Sequence, residues 1–323
     1  MDFEINRKIV TIILNSISKN EKLVSYLINT LNISRESAYR RIRGDIPFTV
    51  HELIKLGSDL NFSIDEVLER EKQNLMFYDY KKAEKNSSDF FVSMLKKYSE
   101  QLEKIGLSNN LNVVMTFNSF SAPFLVYFPE LFKFSYYKWF NINKGVSRNE
   151  SFTDMILPDT ALYYQKKMKG RLFQGNNTDI ILDSNIFLNL YEDINYFYNK
   201  KLLTNEELYL IKEDAKCMIE HFEEITRTGI HESTRIDIYL SSLSISTNAI
   251  YYNYENSIET LFWLNAINPV VFQNAELVLI QMKWLSSLKL QSVLITQSNE
   301  IMQSDFIYKQ NKYIEKYLSG EMQ

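Results

Sequence analysis

Cysteine, histidine and glycine are all scarce in this 323-residue chain, and each scarcity removes a class of function. Cys217 stands alone, so no disulfide can form within the chain, and a reducing, cytoplasmic setting is expected. Only His51, His221 and His231 are present, and no Cys-x-x-Cys or His-x-x-x-His pair offers the spacing of a strong metal site. With 8 glycines there is little material for phosphate-cradling loops. Gly170 and Gly175 flank Arg171-Leu172-Phe173-Gln174, but no Lys-Ser/Thr follows, and no Gly-x-Ser-x-Gly elbow occurs. No carboxylate pair stands in a recognisable catalytic setting, and Asp179, Asp183 and Glu192-Asp193 read as loop or helix-face acids. The expectation is a protein that is not an enzyme and carries no cofactor or metal.

Long apolar runs are lacking too. The longest uncharged stretch, Ile105 to Pro129, is interrupted by Asn109, Asn110, Asn112, Asn118, three serines and Pro123, so no membrane span is expected. The start, Met1-Asp2-Phe3-Glu4, is acidic and unlike a signal peptide. No repeat of fixed period is evident. What is abundant is aromatic: 21 Tyr and 21 Phe. Together with plentiful Asn, Ile and Lys this fits an AT-rich coding bias, so the aromatics alone assign no function.

Positive charge is concentrated in one place. The net charge is −4, and acids and bases balance over residues 1–70, yet Arg35, Arg40, Arg41 and Arg43 face a single acid, Glu36, within nine residues. Ser34 is a natural N-cap and Gly44 a natural helix stop, so a short basic helix is expected between them, with Ala38, Ile42 and Tyr39 as its inner side. Upstream, Leu23, Leu27, Ile28 and Leu31 have helical spacing, with Asn20 as cap and Asn32 as the break. Before that, Ile5, Ile9, Ile12, Ile13 and Ile17 mark another helix. Downstream, Thr49 and Glu52 form a capping box for a helix with Val50, Leu53, Ile54, Leu56 and Leu60 inward. A fifth helix is expected from the Ser63 cap.

Residues 20–68 resemble the helix-turn-helix domain of phage repressors, the Cro/C1 type of the Xre family. The resemblance rests on Ile33, Ser34, Arg35, Arg40, Gly44, Leu53, Leu56, Leu60, Ser63, Ile64, Asp65, Glu66 and Val67 in order and spacing. The chain departs from the family at two points. Glu21-Lys22 stand where a phosphate-binding glutamine is usual, and Arg41 stands where an apolar residue is usual, which leaves Ile42 as the expected core residue. The resemblance implies a sequence-specific transcriptional regulator with residues 34–43 in the major groove of double-stranded DNA. Ser34, Arg35, Glu36, Ser37 and Arg40 are the candidates for the groove; Arg41, Arg43 and Lys22 are the candidates for phosphates. The alternative is an interaction module whose helix-turn-helix binds a partner regulator instead of DNA.

The chain as a whole reads as α+β. Residues 1–70 form an all-α, five-helix DNA-binding domain, residues 71–88 a charged linker or helical connector, and residues 89–323 an α+β domain. The last is expected to make a homodimer, to sense a small-molecule effector, or both. Within it a helix from Ser87 or Ser88 should carry Phe90, Phe91, Met94, Leu95, Tyr98, Leu102 and Ile105 on one stripe. Asn112–Phe120 reads as a strand or a buried extended segment, and Pro129 and Pro158 each as a first helical residue. Asp183–Lys200 and Thr204–Thr228 read as helices, the second with a Thr204/Glu207 capping box and Gly229 as its stop. There Cys217 reads as a small core residue and Glu220, Glu223 and Glu224 as a solvated face. Residues 235–240, 249–254 and 258–264 are expected to form a small antiparallel meander, with helices at 273–289 and 299–318 covering one face.

Overall fold

The computed structural model describes residues 2–17, 22–60, 62, 87–108, 110–143, 150–173, 175–254, 257–264, 268–272 and 275–320. The chain divides into two compact units, Met1–Gln73 and Asn74–Gln323. The expected cap Asn20, the helix expected from Ser63, and residues 71–86 of the expected connector lie outside the described residues.

Four helices are described in the N-terminal unit: α1 (Asp2–Ser16), α2 (Leu23–Leu31), α3 (Arg35–Arg43) and α4 (Val50–Leu60). Their shared core is Ile9, Ile13, Tyr26, Leu27, Leu31, Ala38, Phe48, Leu53, Leu56 and Phe62. The start of α2 is at Lys22, which makes no side-chain cap. Asn32 ends α2 in the left-handed region (φ 56°), a conformation asparagine tolerates better than most residues, and this lets α3 begin three residues later. Two apolar residues expected inside are outside: Val50 and Ile54 of α4 are both more than half exposed. Leu53 and Leu56 already fill the inner stripe, and positions 50 and 54 flank it toward the exposed side of the helix.

The C-terminal unit is α+β, but its sheet is neither small nor purely antiparallel. Eight strands are described: β1 (Leu111–Phe117), β2 (Asn177–Asp183), β3 (Ile230–His231), β4 (Thr234–Ser241), β5 (Ala249–Tyr254), β6 (Ser257–Leu264), β7 (Asn268–Phe272) and β8 (Ser292–Leu294). Their order is β3-β4-β2-β1-β5-β6-β7, with β8 also on β4. β1, β2 and β4 run parallel at its centre, with Met115 opposite Ile180 and Ile180 opposite Ile238. The expected pairing of residues 235–240 with 249–254 does not form. β2 and β1 lie between those strands, and the true antiparallel meander is β5-β6-β7.

Helices α5 (Ser87–Gly106), α6 (Pro129–Asn143), α7 (Asp159–Met168), α8 (Ile186–Asn199), α9 (Asn205–Thr228), α10 (Ala275–Leu290) and α11 (Glu300–Tyr317) complete the unit. Every residue of the expected α5 stripe is buried. Pro129 is the first residue of α6, whereas Pro158 caps α7 from one position outside it. The Thr204/Glu207 capping box and the Gly229 stop of α9 are both present. Strand periodicity separates the two faces of the sheet. Met115, Ile180, Ile238 and Ile250 join the main core with Phe306, Ile307 and Ile314 of α11. Val114, Ile181, Tyr239 and Tyr251 point the other way, to Val278, Leu285 and Leu288 of α10. The last two helices therefore lie on opposite faces instead of sharing one.

Three further residues differ from expectation. Cys217 is exposed. Asp179 and Asp183 belong to central strand β2, not to a loop or helix face. Asp179 meets Lys289 of α10 at 2.5 Å, and Asp183 is buried, accepting the backbone N–H groups of Asn185 and Ile245. Among the described residues no helix is long and apolar enough to cross a membrane, and no group of three His, Cys, Asp or Glu side chains is placed to hold a metal ion.

Candidate nucleic-acid interface

The candidate interface is built around α3. Ser34 is its N-cap, extended at φ −68° and ψ 156°, with Oγ accepting the N–H of Ser37 at 3.2 Å. Gly44 closes the helix at φ 84°, a conformation that penalises any side chain. Its N–H donates to the Arg41 carbonyl and that of Asp45 to the Arg40 carbonyl, so the orphan carbonyls of the last turn are satisfied.

Arg35, Glu36, Tyr39, Arg40 and Arg43 are exposed, and their spacing puts them on one face of α3. Arg35 lies over the Tyr39 ring, 5.9 Å from its centroid. Tyr39 was expected on the inner side; at 41% exposure it belongs to the outer face between the arginines. Arg40 makes no side-chain hydrogen bond or ion pair among the described residues. Arg43 reaches Asp45 at 2.9 Å, but both side chains are largely exposed, so solvent and salt compete with the pair. Lys22 is exposed at the head of α2.

Arg41 is not a surface cation. It is 8% exposed, and its guanidinium grips Glu52 of α4 with two bonds, Nε to Oε2 at 3.1 Å and Nη2 to Oε1 at 2.7 Å. Nη1 donates to Ser37 Oγ at 2.5 Å. Burial on its own would raise the Glu52 carboxyl, but the Arg41 guanidinium and the Thr49 amide outweigh it and hold the pKa below its ordinary value. Glu52 also completes the expected capping box, accepting the Thr49 N–H at 2.9 Å while Thr49 Oγ1 accepts the Glu52 N–H at 3.3 Å. The expectation that Arg41 contacts phosphate is thus corrected, because the guanidinium is consumed inside the domain. Arg41, not Ile42, fills the inward position that the phage-repressor pattern gives to an apolar residue, and Ile42 is half-buried. Ser37 is half-buried too, with its hydroxyl engaged by Arg41 instead of standing free for a base.

A second clamp comes from Asn6, buried at 2% exposure on α1. Its Nδ2 donates to the carbonyls of Arg41 and Ile46, and its Oδ1 accepts the Phe48 N–H. One amide thereby fixes the end of α3 and the connection to α4. The only sequence sign of this role is an asparagine in the apolar stripe of Ile5, Ile9 and Ile13.

The result is a short helix locked from within by Arg41, Glu52 and Asn6, presenting Arg35, Tyr39, Arg40 and Arg43 outward, with Ser34 exposed at its N-terminus. Exposed guanidiniums can donate in pairs to phosphates or to the N7 and O6 edge of guanine. The free N–H groups of the first turn add partial positive charge at the same end. Compared with known proteins, the chain matches no family model, no curated protein and no solved structure.

Proposed function

We propose that this protein is a DNA-binding transcriptional regulator of the Xre (Cro/C1-type) kind that docks α3 in the major groove. The observation that carries the reading is the division of labour among the arginines of α3. Arg41 is spent on rigidity, while Arg35, Arg40 and Arg43 stand together on a face of α3 that is exposed among the described residues. A purely structural helix would have no use for three exposed arginines, only one of them ion-paired among the described residues, beside an internal clamp. Arg35 and Arg40 are the base readers in this reading, and Arg43 and Lys22 position the phosphates.

One recognition helix supplies too few contacts for useful specificity, so the reading includes a homodimer. Helix α10 supports it. Its inner side packs on the sheet, yet Leu279, Ile280 and Trp284 are exposed on the remaining surface. That apolar surface suits a second copy of the same helix.

The test is selection from genomic fragments followed by titration across salt. Affinity should fall steeply with salt through counterion release, and an Arg35→Ala, Arg40→Ala, Arg43→Ala triple variant should bind weakly with a flattened salt slope. Ile280→Lys should yield monomers by sedimentation and weaken binding to paired half-sites. Undiminished, salt-insensitive binding by the triple variant would instead favour the alternative, a helix-turn-helix that binds a protein.

A further inference from the structure

The C-terminal unit contains an apolar cavity of about 80 Å³, open on one side, on the main-core side of its sheet. Ile180 and Ile238 form its floor, and Phe117, Phe124, Phe187 and Phe222 stand around it. Phe120, Tyr127, Phe173, His221 and Phe222 are only half-buried and mark its mouth, whereas Met218 and Ile225 of α9 are buried against its wall.

Among the described residues the polar side chains at this cavity are few, and all but one are occupied. Tyr127 lines it, but its hydroxyl accepts the Gly170 N–H at 2.7 Å and donates to Glu232 at 3.0 Å. His231 lies next to the site, its ring perpendicular to that of His221 with centroids 4.9 Å apart, and its Nε2 is 3.4 Å from the Tyr127 hydroxyl. The exception is His221 Nε2, which is buried with no hydrogen-bond partner among the described residues. An unsatisfied buried polar atom costs roughly 1–3 kcal/mol and calls for an explanation.

Water is a poor occupant, since a buried water is held by 2–4 polar partners and the described residues offer one here. A charged ligand is no better. Among the described residues no lysine or arginine lines the wall, and burial lowers the pKa of both histidines, which disfavours a charged imidazolium there as a counter-charge. What remains is an apolar body with one neutral polar group. A hydroxyl serves either imidazole tautomer, because it can donate or accept. The aromatic walls favour a ring, which they can meet edge to face.

We propose that this cavity binds a compact, neutral, ring-bearing molecule with a single hydroxyl, its ring among the phenylalanines and its hydroxyl on His221 Nε2. The assignment concerns the C-terminal unit alone and stands or falls independently of DNA binding.

The experiment is fluorine-detected NMR titration of the full chain with 4-fluorophenol, fluorobenzene and 4-fluorobenzoate. Saturable binding of 4-fluorophenol is expected, about fivefold tighter than fluorobenzene, the worth of one net hydrogen bond. His221→Phe should erase that preference while retaining fluorobenzene. Met218→Trp should fill the cavity and abolish both. If circular dichroism shows Met218→Trp unfolded, Ile225→Phe takes its place with the same expected loss. Absence of saturation at millimolar 4-fluorophenol, equal affinity for phenol and fluorobenzene in the unmodified chain, tighter binding of 4-fluorobenzoate, or normal binding by a folded, cavity-filled variant would each overturn the proposal.

Discussion

Arg41 in the N-terminal unit and His221 in the C-terminal unit are both polar side chains that a helix carries inward, and the two units treat them differently. Around Arg41 the fold supplies Glu52, Ser37 and a capping box, so the charge is neutralised and its donors are used. Around His221 the fold supplies phenylalanines and leaves Nε2 unmatched. A satisfied buried group fixes geometry for something else, here the outward face of α3. An unsatisfied one in a cavity is a place for something to arrive. The same element, a buried polar atom, therefore points to scaffolding in one unit and to a ligand in the other.

The sharpest way to break this comparison is to remove half of the Arg41 pair. Arg41→Ala or Glu52→Ala should destabilise the N-terminal unit by about 3–5 kcal/mol in denaturant titration, because each leaves a buried charge alone. Arg41→Met combined with Glu52→Gln keeps the capping geometry and should recover most of that loss. Failure of the double variant to recover would mean that Arg41 is not held mainly by Glu52.

Next in size is the cap. Ser34→Ala should cost about 1 kcal/mol of stability, and Ser34→Asp should melt like the unmodified chain, since aspartate caps as well as serine. Under the proposed docking of α3, Ser34→Asp should nonetheless lose DNA affinity, by repulsion between the new carboxylate and phosphate. Normal affinity in that variant would show that this end of α3 faces away from DNA.

His221→Phe should move stability the opposite way to Arg41→Ala. Removing an unmatched nitrogen from an aromatic wall should stabilise the C-terminal unit by about 1 kcal/mol in thermal unfolding. Destabilisation would reveal a structural bond to the imidazole and weaken the contrast.

The smallest effect is the separation of the two units along pH. His221 and His231 have pKa values lowered first by burial, against the opposing charges of Glu224 and Glu232. Their contribution is complete above the unfolded value of about 6.5 and is lost as pH falls through the lower folded values. Glu52 is also lowered, from 4.5, so its contribution persists until more acid conditions. Melting followed from pH 7 to 4 should show the C-terminal unit weakening first, and His221→Phe should blunt that early loss.

Much of the N-terminal unit was legible because its signals are local. The Ser34 cap, the Gly44 stop, the Thr49/Glu52 box and the Thr204/Glu207 box in the other unit each depend on residues within one or two helical turns. Arg41 was misread because helix rotation, not composition, decides which of two adjacent residues turns inward. The polarity of arginine pointed outward, while packing against α4 placed it beside Glu52. Val50 and Ile54 were misread for the converse reason, since apolar character does not guarantee a partner. Cys217 was misassigned likewise, being on the exposed side of α9.

The sequence by itself determined where most helices begin and end, which stripe of α5 is buried, and where positive charge collects, because caps, glycines and helical periodicity act over a few residues. It did not determine the sheet. The alternation at 234–241 and 249–254 marks two strands but not their partners, and β1 and β2, from far upstream in the chain, slip between them. Nor did it reveal the Asn6 clamp, the Arg41–Glu52 pair or the cavity with its unmatched His221, since each joins residues from separate elements. Those were decided by the tertiary structure, because backbone pairing, desolvation and the meeting of side chains depend on which surfaces the folded chain brings together, and no local window contains that information.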